Sequence, residues 1–474
     1  MAIDQYRDIE TCPGNELVKP FIRQQVIRST DSSDKEIDDK GSVSMVMLST
    51  CVAVCGSFEF GSCVGFSSPI QSAIREDLKL SLSQYSVFGS IVTIGAMIGA
   101  TSSGRIADLI GRKGAMRTSA VSCIIGWLAV YFSAEAWLLD IGRFCTGYGI
   151  GIFSYVVPVF IAEIAPKSIR GGLATLNQLL IVCGSSVAFI LGTVVTWRTL
   201  ALAGIVPCFL LLVGLFFIPE SPRWLAKVGL QKEFELALRK LRGNDADVSQ
   251  EAAEIQAAID ALRDLPKVRM LDLFDAKYMR PLIIGMGLMV LQQLGGINGI
   301  GFYTSETLVA AGFSSGKFGS IAYAIIQVPI TMIGAMLMDK SGRRPLLMVS
   351  ATGTFLGCFL TGASFFLKGQ ALLIKCVPIL AVSGVLVYIG AFSIGMGSIF
   401  PIHVKGVAGS LVVLVAWLGA WTVSYTFNFL ISWSAAGTFM TYAGFCALTI
   451  LFVAKIVPET KGKTLEEIQA SFNS

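Results

Sequence analysis

The sequence predicts an all-α membrane protein of twelve transmembrane helices in two six-helix halves, and three observations carry that prediction. Apolar residues make up 54% of the chain and charged residues only 15%, against about 25% charged in an ordinary soluble domain. Apolar stretches of about 20 residues, the length a helix needs to cross a bilayer, recur along the whole chain. Marks in the first half of the chain also return in the second at a nearly constant distance, the signature of an internal repeat.

Taken in order, residues 1–44 are polar, with Asp31-Ser32-Ser33-Asp34 and Asp38-Asp39, and read as a disordered tail with no signal peptide. The first half, 45–218, holds spans at 45–70, 84–104, 115–134, 137–162, 172–195 and 199–218. The second span carries Gly95, Gly99 and Ala100 at the spacing that lets helices approach closely. Residues 219–280 form the one sizeable extramembrane loop, with helical periodicity at Glu233 to Leu241 and Glu251 to Leu265 on either side of Gly243-Asn244-Asp245. The second half, 281–457, holds spans at 281–303, 318–338, 345–367, 376–402, 407–431 and 436–457, and a second tail follows at 458–474.

The repeat is read from three pairs of strings. Asp108-Leu109-Ile110-Gly111-Arg112-Lys113 returns as Asp339-Lys340-Ser341-Gly342-Arg343-Arg344, Ile169-Arg170-Gly171 as Val404-Lys405-Gly406, and Pro219-Glu220-Ser221 as Pro458-Glu459-Thr460. Of the 37 Lys and Arg, 29 fall on one side of this topology and six on the other, so the positive-inside rule places both termini in the cytoplasm. The net charge of +5 is thereby explained by orientation, and no nucleic-acid partner is expected.

Ten of the cysteines, including Cys63, Cys123, Cys208, Cys358 and Cys446, lie in or beside spans and read as small packing residues. A single histidine, His403, excludes a two-histidine zinc motif, and no metal or cofactor is expected. Gly312-Phe313-Ser314-Ser315-Gly316-Lys317-Phe318 has the wrong spacing for a phosphate loop, and Gly147-Tyr148-Gly149-Ile150-Gly151 follows no strand. With no paired nucleophile and base in view, an enzyme is not expected.

What remains is the most unusual stretch of the chain, from Leu291 to Tyr303, in which Gln292, Gln293 and Asn298 sit at membrane depth. Polar groups there are expensive and usually functional. A carboxamide both donates and accepts without net charge, which suits a neutral ligand rich in hydroxyls. Residues 295–301 hold four glycines, each costing about 1 kcal/mol against alanine in a helix interior, so a break is expected here.

Together, the two Asp-x-x-Gly-Arg-[Lys/Arg] loops, Gly142-Arg143-Phe144, Glu163 with Arg170, Pro219-Glu220-Ser221-Pro222-Arg223, the Gln-Gln stretch and Pro458-Glu459-Thr460-Lys461-Gly462 resemble the sugar porter family of the major facilitator superfamily. Val423-Ser424-Tyr425-Thr426-Phe427-Asn428-Phe429-Leu430 is similar to its plant subfamily named for early response to dehydration. The resemblance implies the major facilitator fold and alternating access to a monosaccharide site near the midplane. It implies sugar contacts at Gln178, Gln292, Gln293, Asn298, Gln327 and Trp417, and an outer gate at Phe302 and Tyr303. It also implies a charge network of Asp108, Arg112, Arg143, Glu163, Arg170, Glu220, Arg223, Asp339, Arg343, Lys405 and Glu459 that latches the outward-open state. The expected partners are a monosaccharide and the lipid bilayer, and the expected location is the plasma membrane or the vacuolar membrane.

Two departures from the family pattern bear on activity. In span ten, Gly395-Met396-Gly397 runs through Ser398 into Ile399-Phe400-Pro401, without the Pro-Trp and Glu that the family carries, and Ala416 stands where a polar amide is usual. Weak transport, or a non-transporting sensor, is the corresponding expectation. A third departure concerns coupling. Proton-coupled members carry an aspartate in span one, where this chain has Cys63 after Phe60-Gly61-Ser62. A thiol, with a reference pKa near ~8.5, is uncharged at neutral pH and cannot replace that carboxylate. Facilitated diffusion is the expectation, with Glu59, one turn earlier on the same face, as the rival coupling group.

Overall fold

The computed structural model describes residues 43–166, 168–243, 246–263, 276–312, 316–372, 374–395, 407–457 and 459. The tails apart from residues 43, 44 and 459, the span-ten departure beyond Gly395, and Lys405 therefore lie outside the described residues, as do the side chains of Asp339 and Arg343.

In the first half, α1 (Ser44–Gly65) is followed after a one-residue break at Phe66 by α2 (Ser67–Asp77). Next comes α3 (Leu82–Tyr131), started by a capping box in which Ser81 and Gln84 satisfy each other's backbone amides. At 50 residues α3 would be about 75 Å long, more than twice the roughly 30 Å apolar core of a bilayer. It makes two crossings, jointed at Gly111, whose φ of 81° is a conformation open to glycine. The half is completed by α4 (Ala136–Ile164), α5 (Arg170–Gly192) and α6 (Trp197–Gly214).

The two expected loop helices are α8 (Gln231–Arg242) and α9 (Ser249–Arg263); a third, α7 (Pro222–Val228), precedes them, and together they hold a small core of Leu225, Phe234, Leu238 and Val248. In the second half the seventh span is two helices, α10 (Ala276–Leu294) and α11 (Ile297–Ala310). Then follow α12 (Gly316–Ser341), α13 (Arg343–Gly369), α14 (Val377–Ile394) and α15 (Val407–Ile456). The 50-residue α15 leaves helical geometry at Ser434 and, like α3, makes two crossings. Ten described stretches are long and apolar enough to span. Two of them cross twice, so the twelve crossings read from the sequence are all represented.

Packing follows the small residues. A Cβ at Gly95 or Gly99 would overlap the backbone of α4, so these positions let α3 and α4 lie almost in backbone contact. The halves meet through α3 with α15, α5 with α12, and α1 and α2 with α11. The ends of the bundle can be named from the chain itself. One is the loop face, where α1 begins, α3 is jointed and α7–α9 lie; the other is the opposite face.

Candidate functional site

A cavity of about 140 Å³ lies between the halves. Its walls come from α1 and α5 of the first half and from α11, α12 and α14 of the second. The polar groups on it are Gln178, Ser185, Asn298, Gln327 and Ser393, and the aromatic ones are Phe60, Phe302, Tyr323 and Phe392. Among the described residues no charged side chain lines it, so this wall offers uncharged donors and acceptors on apolar surfaces. Gln327 Oε1 is buried with no hydrogen-bond partner. Such an oxygen is costly unless a ligand or solvent satisfies it.

The Leu291–Tyr303 stretch behaves as its glycines suggest, and the break decides which amide reaches the cavity. α10 stops at Leu294, Gly296 takes a φ of 93°, and α11 restarts at Ile297. This turn puts Asn298 into the wall and leaves Gln292 and Gln293 in the preceding helix, outside it. Gln293 still acts on the wall, because its Oε1 accepts a 2.5 Å hydrogen bond from Asn298 Nδ2. Trp417 is likewise one step behind, its ring 6.3 Å from that of Phe60. Of the expected sugar contacts, the structure therefore gathers Gln178, Asn298 and Gln327 directly and Gln293 and Trp417 indirectly.

Toward the opposite face the cavity is closed. Phe302 is 2% exposed and Tyr303 1%. The Tyr303 ring stacks on Phe427 at 5.3 Å, and its hydroxyl donates to Ser424 O at 3.2 Å. Two hydrogen bonds cross between the halves at this level, Ser305 N to Ser68 Oγ at 3.1 Å and Asn428 Nδ2 to Ser86 Oγ at 3.0 Å. Tyr303 Oη also sits where a Cβ of Gly89 would be.

At the loop face, Arg112, Asp108 and Glu163 of the first half pair with one another and with Lys227 of the loop. Arg112, 7% exposed, forms a two-pronged pair with Glu163 at 2.8 and 2.9 Å, and Asp108 lies 3.3 Å from Arg112 and 2.9 Å from Lys227. Ser221 Oγ donates to Glu163 at 2.6 Å, and Trp224 Nε1 donates to Asp108 O at 3.0 Å. Glu220 accepts from the backbone amides of Arg112, Lys113 and Ser221. Burial raises its carboxyl above the ordinary value, and those amides pull it part of the way back. The described part of the expected latch is thus a clamp holding α7 to the joint in α3. Arg170 donates to Ala165 O, Arg223 is exposed and Glu459 is half-buried.

Arg143 does not belong to that network, which corrects the sequence reading. Fully buried, it donates to Cys63 O at 3.0 Å and Ser67 Oγ at 2.7 Å, and its cation lies over the rings of Phe66 and Phe88. Glu59 is also fully buried but turns to other helices. Its Oε1 accepts a 2.6 Å bond from Trp127 Nε1, and its carboxylate lies within 4.8 Å of the sulfurs of Cys123 and Cys208. Carboxylate and guanidinium share no hydrogen bond or ion pair, because each is engaged by a different set of helices.

Sequence reasoning missed Ser185, Tyr323 and Ser393 in the wall, and Trp127 beside Glu59. The signal for two of them was present. Ser185 lies seven residues after Gln178 and Tyr323 four before Gln327, spacings that share a helix face. The cysteines read as packing residues include two buried pairs in equivalent places, Cys123 with Cys208 and Cys358 with Cys446. All ten described thiols are free.

The sequence pattern of the family "Sugar (and other) transporter" matches residues 48–472. The Arabidopsis thaliana protein "Sugar transporter ERD6-like 16" is 64% identical over 99% of this chain and 99% of its own, and "Sugar transporter ERD6-like 7" is 61% identical over 90% and 94%. Among solved structures, the xylose transporter XylE from E. coli in a partially occluded inward-open conformation superimposes with a TM-score of 0.75 at 28% identity, covering 89% of this chain and 100% of that one. XylE bound to 6-bromo-6-deoxy-D-glucose gives 0.73, covering 90% and 99%. With a family match that runs almost end to end and relatives this similar, the chain belongs to the sugar transporter family of the major facilitator superfamily.

Proposed function

We propose that this protein carries monosaccharides across a membrane by facilitated diffusion, its two halves rocking about the cavity so that it opens to one side at a time. The observation that carries the proposal is the position and chemistry of the cavity. It lies between the halves, is lined by uncharged amides and hydroxyls with aromatic faces, and holds about 140 Å³. A cavity of about 150 Å³ accepts a benzene ring in another protein, so this one suits a single six-membered ring rather than a disaccharide. Closure at Phe302 and Tyr303 supports reading them as the gate of the opposite face. The Lys and Arg distribution supports cytoplasmic termini, which would make that face the outer one; plasma and vacuolar membranes both fit.

Uptake of labelled glucose, fructose and xylose into proteoliposomes tests the proposal. Gln327→Ala is expected to weaken sugar binding by about 1–3 kcal/mol, since it leaves a desolvated sugar hydroxyl unpaired. Unchanged affinity in a folded Gln327→Ala protein would remove this amide from the site.

The separation of Glu59 from Arg143 supports uniport over proton coupling. An imposed proton gradient is expected to leave the final sugar level at equilibrium, and Glu59→Gln to leave net uptake within about twofold of wild type, because the Trp127 bond survives on the amide oxygen. Accumulation above equilibrium that a protonophore and Glu59→Gln both abolish would replace uniport with symport.

A further inference from the structure

We propose that Tyr323 supplies a sugar-contacting hydroxyl whose position is set by Phe189 across the boundary between the halves, so that grip on the sugar depends on closure of the opposite face. The inference rests on the sugar-site reading above and adds to it a residue pair that ties binding to conformation.

The hydroxyl stands out among the buried tyrosines. Tyr85, Tyr303 and Tyr388 each donate to a backbone carbonyl, at 2.7, 3.2 and 2.9 Å. Tyr323 is 5% exposed and lines the cavity, yet among the described residues its hydroxyl makes no hydrogen bond. Tyr442 Oη is unpartnered too, but Tyr442 is not in the cavity wall. A buried phenol usually finds a partner, and the cavity is where one can arrive. Gln327, one helical turn along the same face of α12, brings the second unpartnered group, Oε1, to the same wall. Two such groups a turn apart suit a ring carrying several hydroxyls, each a donor and an acceptor.

The ring of Tyr323 is held from the other half. Phe189 of α5, 1% exposed, stacks on it with centroids 4.5 Å apart and planes 25° apart. This contact joins α5 to α12, two helices from different halves, so rocking the halves apart there removes the platform. The phenol then regains its torsional freedom and a sugar hydroxyl loses a fixed partner. Sugar binding and closure would favour each other through this pair.

The test is equilibrium binding of D-glucose, D-xylose and their monodeoxy analogues to the purified full-length protein. It compares wild type, Tyr323→Phe, Phe189→Ala, the double variant and Gln327→Ala, with thermal unfolding to establish that each is folded. Tyr323→Phe is expected to weaken the parent sugar about tenfold, while one deoxy analogue binds wild type and Tyr323→Phe equally, identifying the hydroxyl that Tyr323 meets. Phe189→Ala should cost a similar factor, and the double variant little more, because both changes remove one positioned hydroxyl. If Gln327→Ala weakens binding but Tyr323→Phe matches wild type for every sugar, this inference fails and the sugar site stands. Losses that simply multiply in the double variant would sink the role of Phe189. Should wild type bind none of these sugars, the transport reading falls, and the inference with it.

Discussion

A Gly89→Val protein is expected to fold and to bind sugar, yet to lose roughly 5- to 150-fold of its uptake rate, the range that follows from an overpacking cost of about 1–3 kcal/mol. Gly89 sits on α3 in the first half, and its missing Cβ leaves the space that the hydroxyl of Tyr303 occupies. Tyr303 cannot swing aside cheaply, since it is stacked on Phe427, bonded to Ser424 O and 1% exposed. An added side chain therefore penalises only the state in which the opposite face is closed, and a transporter that cannot close one face cannot complete its cycle. The conformational readout is a cysteine placed at Ser305, which lies in the seal through its bond to Ser68. Labelling there by an impermeant thiol reagent should rise in Gly89→Val above the level in the parent protein. Truncating the obstacle with Tyr303→Ala should recover part of the uptake. Wild-type uptake by Gly89→Val would show that this contact does not limit closure.

Glu163→Gln is expected to destabilise the protein by about 3 kcal/mol, the low end of the cost of breaking a buried ion pair from one side. Arg112 and Glu163 have side chains 8% and 13% exposed, and their pairing is two-pronged. The amide keeps one acceptor but loses the charge and one of the two prongs, leaving an almost buried guanidinium undercompensated. Because Ser221 also donates to Glu163, and Trp224 and Lys227 meet Asp108 nearby, the damage should reach α7. Thermal unfolding in detergent should show a lower midpoint, and limited proteolysis should cut residues 222–263 sooner. A paired Arg112→Met, Glu163→Leu variant should recover much of the loss, since two apolar residues leave no charge unpaired. A Glu163→Gln protein as stable as wild type would mean that the clamp contributes little and that α7 is held by its own small core.

The bilayer fixes much of this protein at the level of sequence. Backbone groups in lipid must be satisfied within a helix, so apolar length alone counted the crossings, and the doubled Asp-x-x-Gly-Arg strings divided them into two halves. Glycine chemistry was also legible, because four glycines in seven positions weaken a helix whatever surrounds it, and α10 does give way to α11 there. What tertiary structure alone decided is direction. The break at Gly296 turns Asn298 into the cavity and leaves Gln292 and Gln293 behind it, although all three are amides at similar depth. Glu59 and Arg143 each bond to other helices, and the two opposite charges do not pair. Tyr323 shares a helix face with Gln327 by spacing, but its stacking on Phe189 and its place in the cavity wall are set by the tertiary structure. The reason is the same each time: a sequence gives the spacing of side chains along one helix, whereas a binding wall is made where several helices from both halves turn toward one another.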